Sequence, residues 1–151
     1  MSRDASRTLA GLWLSKTDRE RGADSLRAAT DEAMRVGGML FSVLAVQRFE
    51  VARALRRRGA PADVERYLMW PDASTNITRN VTVRFSISPL VQYERGVALE
   101  EAGDRAAAAR QLRRFLQSYD QPPPAHRALV EDATRRLAQI ERTDAPARPP
   151  R

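Results

Sequence analysis

Two stretches of this chain, set 44 residues apart, share one template. Phe49, Glu50, Ala52, Ala54, Leu55, Gly59, Val64 and Leu68 recur as Tyr93, Glu94, Gly96, Ala98, Leu99, Gly103, Ala108 and Leu112. Repetition constrains the fold more than any single motif, because a repeated unit that cannot bury its apolar face alone has to stack on its neighbours. Each copy reads as two antiparallel helices joined at a glycine. A small residue at Ala52 or Gly96 lets one helix lie close to the next. Phe49 or Tyr93 sits one turn earlier on that face, Leu55 or Leu99 one turn later, and Val64 or Ala108 meets them across the turn.

Helix signals surround the template. Thr17-Asp18-Arg19-Glu20 forms a capping box that opens a polar helix running to about Val36, with a thin stripe of Ala23, Leu26, Ala29, Ala33 and Met34. Gly37-Gly38 ends it. Over 39–58, Leu40, Phe41, Leu44, Val46, Phe49, Val51, Ala52 and Leu55 form a wide inward face, and Arg56-Arg57-Arg58 close the last turn, where cations suit the helix dipole. Gly59 allows a left-handed turn and Pro61 starts a second helix to about Met69. After Ser88-Pro89 the second copy runs to Gly103-Asp104, and its partner helix from Arg105 to about Tyr119. Pro122-Pro123-Pro124 breaks the chain before a final helix over 125–141, with Leu129, Val130, Ala133, Leu137 and Ile140 inward.

Residues 71–88 read differently. Ile77, Val81, Val83, Phe85 and Ile87 occupy odd positions with polar residues between, the alternation of a strand. A lone strand makes no sheet, so this insert is expected as an extended connector, or else as an edge awaiting a partner strand. The segments are therefore an N-terminal helical segment (1–38, a degenerate hairpin), a first hairpin (39–70), the insert (71–88), a second hairpin with a capping helix (89–141) and a disordered tail (142–151). The fold class is all-α: a right-handed stack of antiparallel helical hairpins with one strand-like insert and a C-terminal cap.

The second copy resembles a tetratricopeptide repeat. Gly96, Leu99, Gly103-Asp104, Ala108 and Leu112 stand where that family has its small, large, turn, small and large residues. Gln92 stands at the early Trp/Leu position, and the closing proline is displaced to Pro122–Pro124. The spacing exceeds the family's usual period of about 34 residues, and the insert accounts for the excess. Residues 88–140 look like the C-terminal repeat regions of large bacterial signalling proteins, notably Ser/Thr kinases and transcriptional regulators. The resemblance implies a helical scaffold and no activity.

Composition narrows the chemistry. With no cysteine and His126 as the single histidine, thiolate zinc sites, cysteine nucleophiles and histidine pairs are excluded, and no metal or other cofactor is expected. His126, just after the prolines, is expected to be exposed. Glu50 and Glu94 recur at equivalent positions, but stacked hairpins hold such residues too far apart for paired acid/base work; ion pairs with Arg53 or Arg48 are expected instead. The net charge of +7 is almost all arginine, interleaved with Asp and Glu, as a GC-rich genome produces. Arg56-Arg57-Arg58, Arg110, Arg113-Arg114 and Arg135-Arg136 read as a solvated face before they read as an anion-binding stripe. No run reaches the roughly 18 apolar residues of a membrane span, and Met1–Arg7 carries no signal-peptide core, so a cytoplasmic protein is expected.

These features point to a non-enzymatic protein-interaction scaffold. Its groove, lined by Arg48, Arg53, Gln92 and Arg95, is expected to take a partner protein or acidic peptide. A structural subunit is the competing expectation, clamping a larger assembly through Trp13 and the 77–87 strand with Val81, Val83 and Phe85. A basic nucleic-acid-binding helical domain is the third, and the interleaved acidic residues weigh against it.

Overall fold

The computed structural model describes residues 19–36, 41–69, 87–119 and 121–144. Trp13, Trp70, the tail beyond Asp144 and the insert residues Val81, Val83 and Phe85 lie outside the described residues, so the strand expectation is named here and not decided. The described elements are helical without exception: α1 (Arg19–Val36), α2 (Phe41–Arg57), α3 (Val64–Leu68), α4 (Ser88–Glu101), α5 (Arg105–Gln117) and α6 (Arg127–Asp144), with short 3-10 turns at Pro61–Asp63 and Pro124–His126. None of them is long and apolar enough to cross a membrane. The chain divides into two compact units, residues 1–88 and 89–151.

In the first unit α2 packs against both α1 and α3. The buried side of α1 is Ala23, Leu26, Thr30 and Ala33, a three-four spacing that puts all four on one stripe. Thr30 is tolerated there because its hydroxyl donates to the Leu26 carbonyl at 2.7 Å, which removes the cost of an orphan polar group. Ala45, Val51, Ala52, Ala54 and Leu55 of α2 and Val64, Tyr67 and Leu68 of α3 are buried in this unit, where the two helices pack together.

The two glycine turns are built alike. In the first, Ala60 N–H donates to the Leu55 carbonyl and Gly59 N–H to the Arg56 carbonyl, at 3.1 and 3.0 Å. In the second, Asp104 N–H donates to Leu99 and Gly103 N–H to Glu100, at 2.9 and 3.0 Å. These are the paired bonds of a Schellman motif, which satisfy carbonyls at the helix end and require a left-handed residue. Gly59 and Gly103 supply it with φ of 75° and 91°. The sequence repeat is therefore a repeat of turn geometry. The second helices differ: Pro61 opens a 3-10 turn, and only Val64–Leu68 is α-helical, where a continuous helix from 61 was expected. Asp104, in contrast, caps α5 by accepting from Ala107 N–H at 2.9 Å, and α5 runs 13 residues.

The second unit centres on Tyr93, Val97, Ala108, Ala109, Leu112, Phe115, Ala133 and Ile140. Gly96 sets the closeness of α4 and α5: a Cβ there would lie 2.8 Å from Leu112 Cγ and Cδ2 and 3.3 Å from its backbone nitrogen. Tyr93, Phe115, Tyr119 and His126 follow in tilted and edge-on contacts with centroids 5.3, 5.1 and 5.5 Å apart. His126 is accordingly half-buried, not exposed as expected; its Nδ1 lies 2.8 Å from the Tyr119 hydroxyl. α6 also outruns its expected end. Arg142 and Thr143 donate to the carbonyls of Ala138 and Gln139, at 3.2 and 2.9 Å, and helix continues to Asp144 in what was expected to be tail.

Candidate interaction face

Most of the arginines that could grip a ligand are engaged with the protein itself. Arg48 turns inward, where its guanidinium donates to the carbonyls of Tyr67 and Arg66 at 2.9 and 3.3 Å. Those carbonyls belong to the last turn of α3, whose carbonyls lack partners within the helix, and Arg48 bonds them as a side-chain cap. Burial lowers its pKa. Beside it the Tyr67 hydroxyl donates to Asp31 at 2.7 Å, and Arg66 reaches the same carboxylate at 3.4 Å. Burial, and then the Asp31 bond, push the Tyr67 phenol up. Arg58 closes on Asp24 at 2.5 Å and holds that carboxyl below its usual range.

The second unit repeats this economy around Asp132. Its carboxylate accepts from the Tyr93 hydroxyl at 2.8 Å, from Arg136 Nε at 2.6 Å and from Arg135. Arg136 also reaches Glu100 at 2.6 Å, linking α4 to α6. Burial and the Asp132 bond push the Tyr93 phenol up to about 12. For Asp132 burial works upward, but the bonds from Arg136 and Tyr93 outweigh it and the pKa falls. Arg113 pairs with Glu141 at 2.7 Å. Of the expected basic stripe, then, Arg58, Arg113, Arg135 and Arg136 serve internal or surface ion pairs.

The four residues expected to line one groove are divided between the two units. Arg48 and Arg53 stand on the same helix but point to different sides. Gln92 and Arg95 belong to α4 in the other unit. Gln92 is half-buried, and its Oε1 has no hydrogen-bond partner among the described residues. Arg95 is buried, 6% exposed. Of the two recurring carboxylates, Glu50 forms the expected pair with Arg53 at 3.3 Å, and Glu94 is buried.

Arg53 alone of the four faces outward on a distinctive surface. Val43, Val46, Glu50, Arg53 and Arg57 succeed one another at alternating spacings of three and four, which sets them on a single ridge of α2. Val43 and Val46 are each 37% exposed, Glu50 and Arg53 are half-exposed, and Arg57 is exposed. The Arg53 guanidinium lies over the Phe49 ring, 5.7 Å from its centroid. Val46 was expected inward and is not. Gln47, its neighbour, is buried completely in its place. A polar residue turned in beside an apolar residue turned out breaks local patterning, and such breaks concentrate where function competes with folding. The inward reading of 39–58 missed it by drawing too wide an apolar face. The three-four ridge from Val43 to Arg57 was the signal available in the sequence.

A shallow, open depression of about 530 Å³ lies on α6, lined by Arg135, Ala138, Glu141 and Arg142. Its Arg135 and Glu141 are already committed to Asp132 and Arg113. Among the described residues no group of three or more His, Cys, Asp or Glu could hold a metal ion. Comparison with protein-family models, curated proteins and solved structures finds no match to this chain.

Proposed function

We propose that this chain is a non-enzymatic interaction module, built of tetratricopeptide-like helical hairpins, that binds a partner protein or peptide along the α2 ridge. One observation carries the reading: Val46 stands 37% exposed while the adjacent Gln47 is wholly buried. Apolar side chains left out at neighbouring turns, rimmed by Glu50, Arg53 and Arg57, have the make-up of an interface core with a polar rim. The paired Schellman turns support hairpins of the repeat type, and the internal use of Arg48, Arg58 and Arg136 supports a scaffold whose charges hold its own helices.

A photoreactive amino acid placed at position 46 in the native host tests this, with position 138 on α6 as the control. Crosslinking of a defined protein from 46 and not from 138 is the expected result. Equal capture from both positions, or none from 46, rules the α2 ridge out.

A further inference from the structure

The order of chemistry along the ridge says more than its exposure. From Val43 to Arg57 is 14 residues, about 21 Å of helix. Its first turns present Val43 and Val46; its last turns present Arg53 and Arg57, with Arg56 half-exposed alongside. Glu50 is the one acidic residue of α2, against four arginines, of which Arg48 is turned inward onto α3. The exposed side of α2 thus runs from apolar to basic in a fixed direction.

From this we infer that the ridge takes an amphipathic helix of a different protein, with apolar anchors where it meets Val43 and Val46 and acidic residues where it meets Arg53 and Arg57. The inference rests on the binding role proposed above and specifies the partner. A three-four ridge is the surface that a second helix packs against, since knobs at that spacing fit between the side chains of a facing helix. Carboxylates at the far end would bond Arg53 and Arg57 with charge-assisted geometry and set the direction of docking.

A second copy of this chain does not fit. An antiparallel pairing that brings Val43 to Val46 leaves Arg53 and Arg57 beyond the start of the partner's α2. One that brings Glu50 to Arg53 sets Val46 against Arg57. A parallel pairing in register sets each arginine on its own copy. The two-fold relation of a self-complementary interface therefore satisfies the valines or the charges, never both.

Three synthetic 21-residue helical peptides with the same leucine anchors test the inference by fluorescence anisotropy against the full chain. One carries Glu after the anchors, one carries Lys there, and one carries the Glu block before the anchors. The acidic block that falls on Arg53 and Arg57 comes after the anchors if docking is parallel to α2 and before them if antiparallel. The Glu peptide of that order should bind about 10-fold more tightly than the Lys peptide, the sum of two exposed ion pairs, and should weaken with salt. Val46→Asp should abolish its binding, and Arg53→Glu with Arg57→Glu should reverse the Glu/Lys preference. Because Arg57 is exposed and Arg53 half-exposed, the double variant keeps the test open should Val46→Asp fail to fold. Preference for Lys, binding unchanged by the charge reversal, no binding by any peptide, or self-association of the chain that Val46→Asp dissolves would each overturn it. If position 46 still crosslinks a native partner in such a case, the binding role stands and only the partner's chemistry is wrong.

Discussion

Gly96 and Gly103 are both glycines of the second hairpin, and they are needed for unrelated reasons. At Gly96 the obstacle is a neighbour: an added methyl meets Leu112 at 2.8 Å. At Gly103 nothing lies within 4 Å, and the obstacle is the backbone itself at φ of 91°. Gly96→Ala gains helix propensity yet should still lose about 1–2 kcal/mol through overpacking. Gly103→Ala should lose about 1–2 kcal/mol through the left-handed conformation alone. Urea denaturation of each variant measures this. Enlarging the space with Leu112→Ala in the same chain should rescue the steric penalty of Gly96→Ala but leave that of Gly103→Ala unchanged, because only the former depends on the facing side chain. Ala52, the counterpart of Gly96, shows that the first hairpin leaves room for a methyl at the equivalent place.

At the scale of elements, α3 is the weak member and Arg48 is its support. Five α-helical residues are too few to hold themselves in water, so α3 depends on the burial of Val64, Tyr67 and Leu68 and on the guanidinium that caps its carbonyls. Arg48→Met keeps the aliphatic stem and removes only the bonds. It should destabilise the first unit by about 1 kcal/mol, the loss of one part-buried and one exposed hydrogen bond to carbonyls. Amide hydrogen exchange should show the loss first at Val64–Leu68. Val46→Ser on the opposite side of α2 should cost less than Arg48→Met, about 0.5 kcal/mol or less, since Val46 stands among the exposed apolar residues at 37%. A large loss there, read from the same melts, would mean that Val46 belongs to the core after all.

Across the whole molecule, stability should fall away at both ends of the pH scale, and the Tyr93–Asp132–Arg136 cluster sets the direction of each edge. Tyr93 is pushed up to about 12 when folded, against an ordinary value near 10, so its contribution is complete below pH 10 and is lost as pH rises from 10 to 12. Tyr93→Phe should lower stability at neutral pH and flatten that alkaline decline, as thermal melts across pH 8–12 would reveal. Asp132 works in the other sense: its carboxyl is held low, so its contribution is present above the ordinary carboxylate range and is lost as pH falls through the depressed value. The histidine and the tail show how far such contacts were legible beforehand. His126 reads as exposed because a lone histidine after prolines carries no partner in the sequence; Tyr119, seven residues earlier, becomes one only when the chain folds back at Pro122–Pro124. The helix end at Asp144 was hidden for a similar reason, since Arg142 and Thr143 bond backward to carbonyls that a polar composition does not announce. What the sequence by itself determined is the local chemistry: helices from periodicity, two equivalent turns from Gly59 and Gly103, and a close approach at Gly96. These follow from short-range sterics and hydrogen bonding, which the neighbouring residues largely settle. What only the tertiary structure decided is which polar groups are spent inside. Arg48 and Arg53 are alike in sequence, yet the first has two carbonyls of α3 within reach and the second lies over Phe49 on an open ridge, because a helix only five residues apart from one site to the other turns them to different sides and burial of its far face selects which side meets α3.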